Sequence, residues 1–124
     1  MKILIIGAGG MLGHKLFQSC QRNHDVVGTV RSPKASMLGV GRDSPASLIT
    51  GIDISNIEDI RALVSSTRCD VVVNCAGVVK QVPAGKDPIE CIRVNALFPH
   101  LLAEICKQSK VRLIHVSTDC VFTG

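Results

Sequence analysis

Three glycines near the start of the chain have a spacing that suits an anion site. Gly7, Gly10 and Gly13 follow the apolar run 3–6 and open a segment with apolar residues at helical intervals. The first N–H groups of a helix lack partners, and the helix dipole adds partial positive charge there. Gly7 permits a tight turn, Gly10 lets phosphate approach the backbone, and Gly13 allows close helix packing. The pattern predicts a dinucleotide pyrophosphate site; a plain strand-to-helix turn is the alternative.

A cation follows the second predicted strand, at a point that bears on the choice of dinucleotide. Sheets that bind NAD place an acidic residue there to hold the ribose hydroxyls. Here the chain has Arg31 and Ser32, with Lys34 and Arg42 as candidate partners. Because a guanidinium binds phosphate oxygens in a fork, Arg31 favours NADP(H) over NAD(H). A solvated loop charge is the alternative.

Hydrophobic patterning predicts an α/β fold to position these residues. Strands are expected at 2–6, 25–30, 48–51, 70–74 and 111–116. Helices are expected after the glycine turn, with an apolar face at positions 12, 16, 17 and 20, and at 55–66 and 87–108. The strand-then-helix order implies right-handed crossovers and a parallel, doubly wound Rossmann-type sheet in the order 3-2-1-4-5. The continuous apolar run within 70–74, Val71 to Val73, predicts a central strand that is covered on both faces.

Local signals mark the starts of two helices and one irregularity. Residues 55–58, Ser-Asn-Ile-Glu, resemble a capping box, and residues 87–90 supply an N-cap aspartate, a proline and a glutamate. Pro99 has no N–H to give the carbonyl of Asn95, so that carbonyl is predicted to be freed. A simple helix kink is the alternative to a functional role for it.

Composition narrows the class of protein. The 124 residues, of which 46% are hydrophobic, suffice for one domain, and the net charge of +4 lacks the runs of like charge that favour nucleic acid. The six cysteines have neither paired nor metal-ligand spacing, so we expect reduced thiols and no metal. No signal peptide or membrane-spanning run is recognised. A cytoplasmic protein without nucleic-acid or membrane partners is expected.

Four motifs together resemble the extended short-chain dehydrogenase/reductases. The glycines fit Gly-x-x-Gly-x-x-Gly, and further matches follow the third, fourth and fifth strands at 53–54, 74–77 and 117–122. The last, Ser-Thr-Asp-Cys-Val-Phe, is similar to the Ser-Thr-Asp-Tyr-Val-Phe segment of dTDP-4-dehydrorhamnose reductases and related sugar-nucleotide 4-reductases, with Cys120 in place of the aromatic residue. The resemblance covers the whole chain.

The resemblance implies a role for each matching position. The amides of Met11 and Leu12 join the three glycines at the pyrophosphate, and Asp53 accepts from the adenine amino group beside Ile54. A helix-entry aspartate is the alternative for Asp53. The other implied positions are Cys75, Ala76 and Gly77 beside the cofactor, Ser117 near the nicotinamide, and Thr118 as the catalytic hydroxyl on the substrate carbonyl. For Thr118, a turn that closes the strand is the alternative, and His115 is assigned no chemistry.

One part of the family's machinery is missing. These reductases use a Tyr-x-x-x-Lys pair to protonate the developing alkoxide, and this chain contains no tyrosine. Residues 1–124 are therefore expected to be the NAD(P)-binding front part of a longer enzyme, without its substrate domain and inactive alone. The expected substrate is a nucleotide-linked 4-keto-6-deoxy sugar. Alternatives are a non-catalytic regulatory subunit, similar to the methionine adenosyltransferase β subunit, and a sugar-nucleotide epimerase or dehydratase. An incomplete sheet is also expected to self-associate.

Overall fold

A five-stranded parallel sheet forms the centre of the molecule. The computed structural model describes residues 1–32, 47–79 and 87–117. The strand order β3-β2-β1-β4-β5 confirms the predicted sheet, and all neighbouring strands are parallel. The strands are β1 (Lys2–Ile6), β2 (Asp25–Val30), β3 (Ser47–Thr50), β4 (Val71–Asn74) and β5 (Arg112–His115).

Helices lie between the strands, and one helical stretch changes its pitch midway. The helices are α1 (Met11–Cys20), α2 (Ile57–Thr67), α3 (Pro88–Ile92) and α4 (Phe98–Gln108). A π-helical turn, Arg93–Leu97, joins α3 to α4, and the Phe98 N–H donates to the Arg93 carbonyl. Pro99 explains this turn, because proline supplies no N–H and its ring crowds the carbonyl four residues earlier. The single helix predicted over 87–108 is thus interrupted.

The helix caps agree with the sequence at α3 and differ from it at α2. Asp87 Oδ1 accepts from the Ile89 N–H at 2.9 Å, as predicted. At α2 the N-cap is Asn56, whose Nδ2 donates to Asp59 Oδ2 at 2.7 Å. The predicted box lies one residue too early, because the Ser55 N–H already donates to Asp53 Oδ1 in the preceding turn.

Two apolar clusters form the core, one on each face of the sheet. Helices α2 and α4 cover one face, where Leu4, Ile60 and Leu102 are fully buried. On the other face, α1 inserts the Phe17 ring against β1 and β2. A Cβ at Gly28 would lie 2.8 Å from that ring, so glycine in β2 makes room for it.

The face of β4 that shares α1's side of the sheet is only partly covered. Val71 and Val73 are half-buried there, and Ile114 on β5 is 43% exposed. Among the described residues, β4 is therefore central, as predicted, but its second face is covered only in part. The reason is that α1 packs on β1 and β2, whereas α2 and α4 both pack on the opposite face.

Candidate functional site

The three glycines in the turn between β1 and α1 differ in whether the fold requires glycine at their position. Gly7 has φ +84°, and a Cβ there would lie 2.9 Å from the Ala76 nitrogen. A Cβ at Gly13 would overlap the Gly7 carbonyl oxygen. At Gly10 the backbone suits any residue, with φ −78°, and the nearest atom to an added Cβ is Gly7 O at 3.5 Å. The fold itself thus requires glycine at 7 and 13, while the space beside Gly10 is open.

The first turn of α1 has the properties of an anion site. Gly10 is the N-cap, no side chain caps the helix, and no acidic residue lies in its first turn. The amides of Met11, Leu12 and Gly13 stand at positions that have no partner within the helix. The Met11 side chain is 91% exposed. A negatively charged group can therefore approach these amides from solvent.

The segment after β4 lies directly against the glycine turn. The Cys75 N–H donates to the Ile6 carbonyl at 2.9 Å, and the Ala76 N–H donates to Asn74 Oδ1 at 3.0 Å. Asn95, from the π-helical turn, binds Val78 twice: Oδ1 accepts from its N–H and Nδ2 donates to its carbonyl. The segment is thus fixed by backbone and amide hydrogen bonds before any ligand arrives.

Asparagine and histidine side chains support this segment in a way that sequence reasoning missed. Asn74 is fully buried, and its Nδ2 lies 3.1 Å from His115 Nδ1. The sequence singles out the backbone carbonyl of Asn95, whereas the structure shows that the Asn95 side chain forms the hydrogen bonds to Val78. One available signal was Asn74 itself, since a polar residue that ends a buried strand needs a specific partner.

Asp53 and Arg31 lie near each other beyond β3 and β2. Asp53 Oδ1 accepts from the Ser55 N–H at 2.9 Å. This bond, with a second from the Ser55 side chain, lowers the pKa of Asp53, and the charges of Arg31 and Arg93 lower it further. The Ser55 bond fits a helix-entry role, yet an ionised carboxylate retains sites for another donor. Ile54 is half-buried and packs against the core beneath α2 and α4.

The remaining predicted positions follow β4 and β5 or lie outside the described residues. Cys75 is half-buried, and burial raises the pKa of its thiol, which opposes a nucleophilic role. Gly77 and Ser117 are exposed, after β4 and β5 respectively. Thr118, Lys34 and Arg42 lie outside the described residues.

These positions lie together at the carboxyl ends of the strands, in a region that we call the candidate cleft. Gly7, Ala76 and the start of α1 are in mutual contact or close to it, at the point where the strand order reverses between β1 and β4. That is the position at which open α/β sheets bind ligands. Within 1–32, 47–79 and 87–117, no group of side chains could hold a metal ion, and no helix is long and apolar enough to cross a membrane.

Comparison with known sequences relates the whole chain to one family. A family model described as the RmlD substrate binding domain matches residues 1–124. The dTDP-4-dehydrorhamnose reductase of Mycolicibacterium smegmatis is 33% identical over 98% of this chain and 31% of its own length. A probable dTDP-4,6-dihydroxy-2-methyloxan-3-one 4-ketoreductase of Streptomyces antibioticus is 32% identical over 100% of this chain and 37% of its own length. The chain thus spans about a third of the curated relatives that it matches.

Solved structures share the fold. The UDP-glucuronic acid 4-epimerase from Bacillus cereus, in complex with NAD, is 29% identical with a TM-score of 0.77. The match covers 100% of this chain and 42% of the epimerase. The UDP-Glc/GlcNAc 4-epimerase from Campylobacter jejuni is 25% identical with a TM-score of 0.76. That match covers 92% of this chain and 36% of the epimerase.

Proposed function

The chain belongs to the RmlD substrate binding domain family, and from this membership we propose that residues 1–124 bind NADP(H) for a sugar-nucleotide reductase. The observation that carries the proposal is the glycine turn. Glycine is sterically required at 7 and 13, but at Gly10 it leaves space in front of the unpaired amides of α1. A pyrophosphate fits that space because it is anionic and needs close backbone approach.

The proposed substrate is a nucleotide-linked 4-keto-6-deoxy sugar, as the names of the reductase relatives suggest. A bound dinucleotide supplies the hydride that adds to C4 of such a sugar. The start of α1 would hold the pyrophosphate, and Cys75, Ala76 and Gly77 would border the cofactor. Asp53 and Ile54 would receive the adenine. Ser117, which follows β5, would meet the nicotinamide. Thr118 is the proposed hydroxyl on the substrate carbonyl.

Arg31 supports the choice of NADP(H). It is exposed just beyond β2, and no acidic residue adjoins it in sequence. Its charge reaches Asp53, which we propose as the partner of the adenine amino group. The Bacillus cereus epimerase was solved in complex with NAD, so the proposed preference for the 2′-phosphate rests on Arg31 alone.

Calorimetric titration with NADPH and NADH tests the cofactor proposal. We expect Arg31→Ala to weaken NADPH binding about tenfold and to leave NADH unchanged, because the guanidinium contacts only the extra phosphate. Arg22→Ala is the matched control, since Arg22 is also exposed but lies at the amino-terminal edge of the sheet. Equal effects of both variants would refute the role of Arg31. Failure of the unmodified chain to bind either dinucleotide would refute the proposed function.

Two observations support other candidates. The likeness to a UDP-glucuronic acid 4-epimerase favours an epimerase, which shares this front part of the fold. The methionine adenosyltransferase β subunit resembles the same reductases, which favours a binding subunit. A Tyr-x-x-x-Lys pair elsewhere in the gene would support an enzyme, and its absence would support the subunit.

Residues 1–124 are expected to be inactive alone, because they contain no Tyr-x-x-x-Lys pair. We propose that they are the dinucleotide-binding front part of a longer cytoplasmic enzyme, because the curated relatives are about three times as long. Scattered cysteines suit a reducing compartment. Ile114 and Val116, which are exposed at the edge of the sheet, support self-association of the chain when it is alone.

A further inference from the structure

The contact between Asn74 and His115 has no role in the function proposed above. Asn74 ends β4 and is fully buried, and His115 is its register partner at the end of β5. Asn74 Nδ2 lies 3.1 Å from His115 Nδ1. The pair, with Asn74 buried and His115 half-buried, therefore lies at the carboxyl ends of two neighbouring strands, and Asn74 directly precedes residues 75–77.

The neighbouring backbone determines which atom of this pair carries the proton. The Ala76 N–H donates to the Asn74 side chain at 3.0 Å. Because an N–H can only donate, the amide oxygen of Asn74 faces Ala76 and its NH2 group faces His115. The NH2 group in turn needs an acceptor. His115 Nδ1 is therefore unprotonated, and the neutral ring carries its proton on Nε2.

We propose that His115 is a positioning residue for the dinucleotide cleft. Its Nδ1 holds the Asn74 amide in the orientation that fixes the Ala76 N–H, and so holds the turn of residues 75–77 in place. Gly7 transmits the effect, since its α-carbon packs so closely against Ala76 that a Cβ would lie 2.9 Å from the Ala76 nitrogen. A shift of Ala76 would thus reach the start of the glycine turn. The inference relies on the proposed function only for the identity of the ligand.

Two substitutions separate the acceptor from the bulk of the ring. In His115→Asn, the side-chain Oδ1 stands two bonds from Cβ, as Nδ1 does in histidine, so it can accept from Asn74. In His115→Leu, a side chain of similar size has no acceptor. The Asn74 NH2 group would then be buried without its hydrogen-bond acceptor, and the amide would be free to rotate.

NMR spectroscopy of the full 124-residue chain, with and without NADPH, tests the inference. In mildly alkaline buffer, long-range ¹H–¹⁵N correlation should show His115 as the Nε2–H tautomer. Its signals are identified by their loss in His115→Asn. Amide exchange at Ala76 should be about tenfold faster in His115→Leu and unchanged in His115→Asn. The NADPH dissociation constant should rise about fivefold in the leucine variant only, as for one lost hydrogen bond.

An Nδ1–H tautomer, or equal Ala76 exchange in the two variants, would overturn the proposed role of His115. If His115→Leu does not fold, the tautomer of the unmodified chain decides. If that chain binds no NADPH, the function proposed above fails, whereas the tautomer and the Ala76 exchange still test the positioning role.

Discussion

At the scale of single residues, the three glycines of the first turn separate the needs of folding from those of binding. Gly13→Ala should destabilise the protein by about 1–3 kcal/mol, because its Cβ overlaps the Gly7 carbonyl oxygen and the turn must move. Gly10→Ala should cost less than about 1 kcal/mol, the loss expected at an N-cap. Its Cβ has no protein atom closer than 3.5 Å, so it projects into the space assigned to phosphate. Urea denaturation measures the difference in stability.

Binding of NADPH should show the complementary pattern. Gly10→Ala, although folded, should lose at least about tenfold in affinity, because a methyl group occupies the approach to the α1 amides. Gly9→Ala is a matched control: Gly9 is the exposed neighbour, and its added Cβ would only touch the Val30 side chain at 3.4 Å. Full affinity in Gly10→Ala would mean that the phosphate lies elsewhere.

Asp53 provides a second test at this scale, through its protonation. Ser55→Ala should raise the pKa of Asp53 only part of the way to its ordinary value, because the stronger bond from the Ser55 backbone N–H remains. A lowered pKa means that Asp53 stabilises the fold fully above the unfolded pKa of about 3.9 and loses this effect as pH falls through the folded value. A carboxyl ¹³C titration measures the shift, with Ser65→Ala as control. An unchanged pKa would contradict the role of the Ser55 hydroxyl.

At the scale of elements, α2 ends on a residue that the backbone does not favour. Arg68, its C-cap, has φ +49°, in the left-handed region where glycine is preferred. Arg68→Gly should therefore raise the free energy of unfolding by about 1 kcal/mol, more than the few tenths lost with a cation at a helix C-terminus. Arg68→Ala removes the same charge but keeps the strain. Equal stability of the two variants by thermal denaturation would refute this explanation.

The sequence was sufficient for elements whose signals are local. The bounds of β1 and β2 and the Asp87 cap agree with prediction because apolar runs and cap residues act within a few positions. For the π-helical turn, the sequence predicts only a kink or a freed carbonyl, since Pro99 identifies the lost hydrogen bond but not how the helix adjusts to it. The Asn74–His115 pair joins positions 41 residues apart, and only the β4–β5 register brings them together. The role of Thr118 stays a prediction.

At the scale of the whole molecule, the open edge of the sheet favours association of chains. Ile114 on β5 is 43% exposed, and Val116, just after β5, is 41% exposed, next to the face of the sheet that α1 covers only in part. We expect the average mass in analytical ultracentrifugation to rise with protein concentration, since exposed apolar residues on an edge strand favour pairing. Ile114→Lys should keep the mass at that of one chain, because pairing would bury an uncompensated charge.

A control on another surface locates the contact. Leu101 on α4 is 39% exposed, close to the value for Ile114, but it belongs to a helix on the opposite face of the sheet. Leu101→Lys adds the same charge at similar exposure, so association should persist in this variant. If Leu101→Lys gives single chains while Ile114→Lys still associates, the contact is made by the helix and the edge-strand explanation is wrong. If association follows the edge strand, the partly covered face of β4 and β5 is the surface that a covering segment or partner must bury.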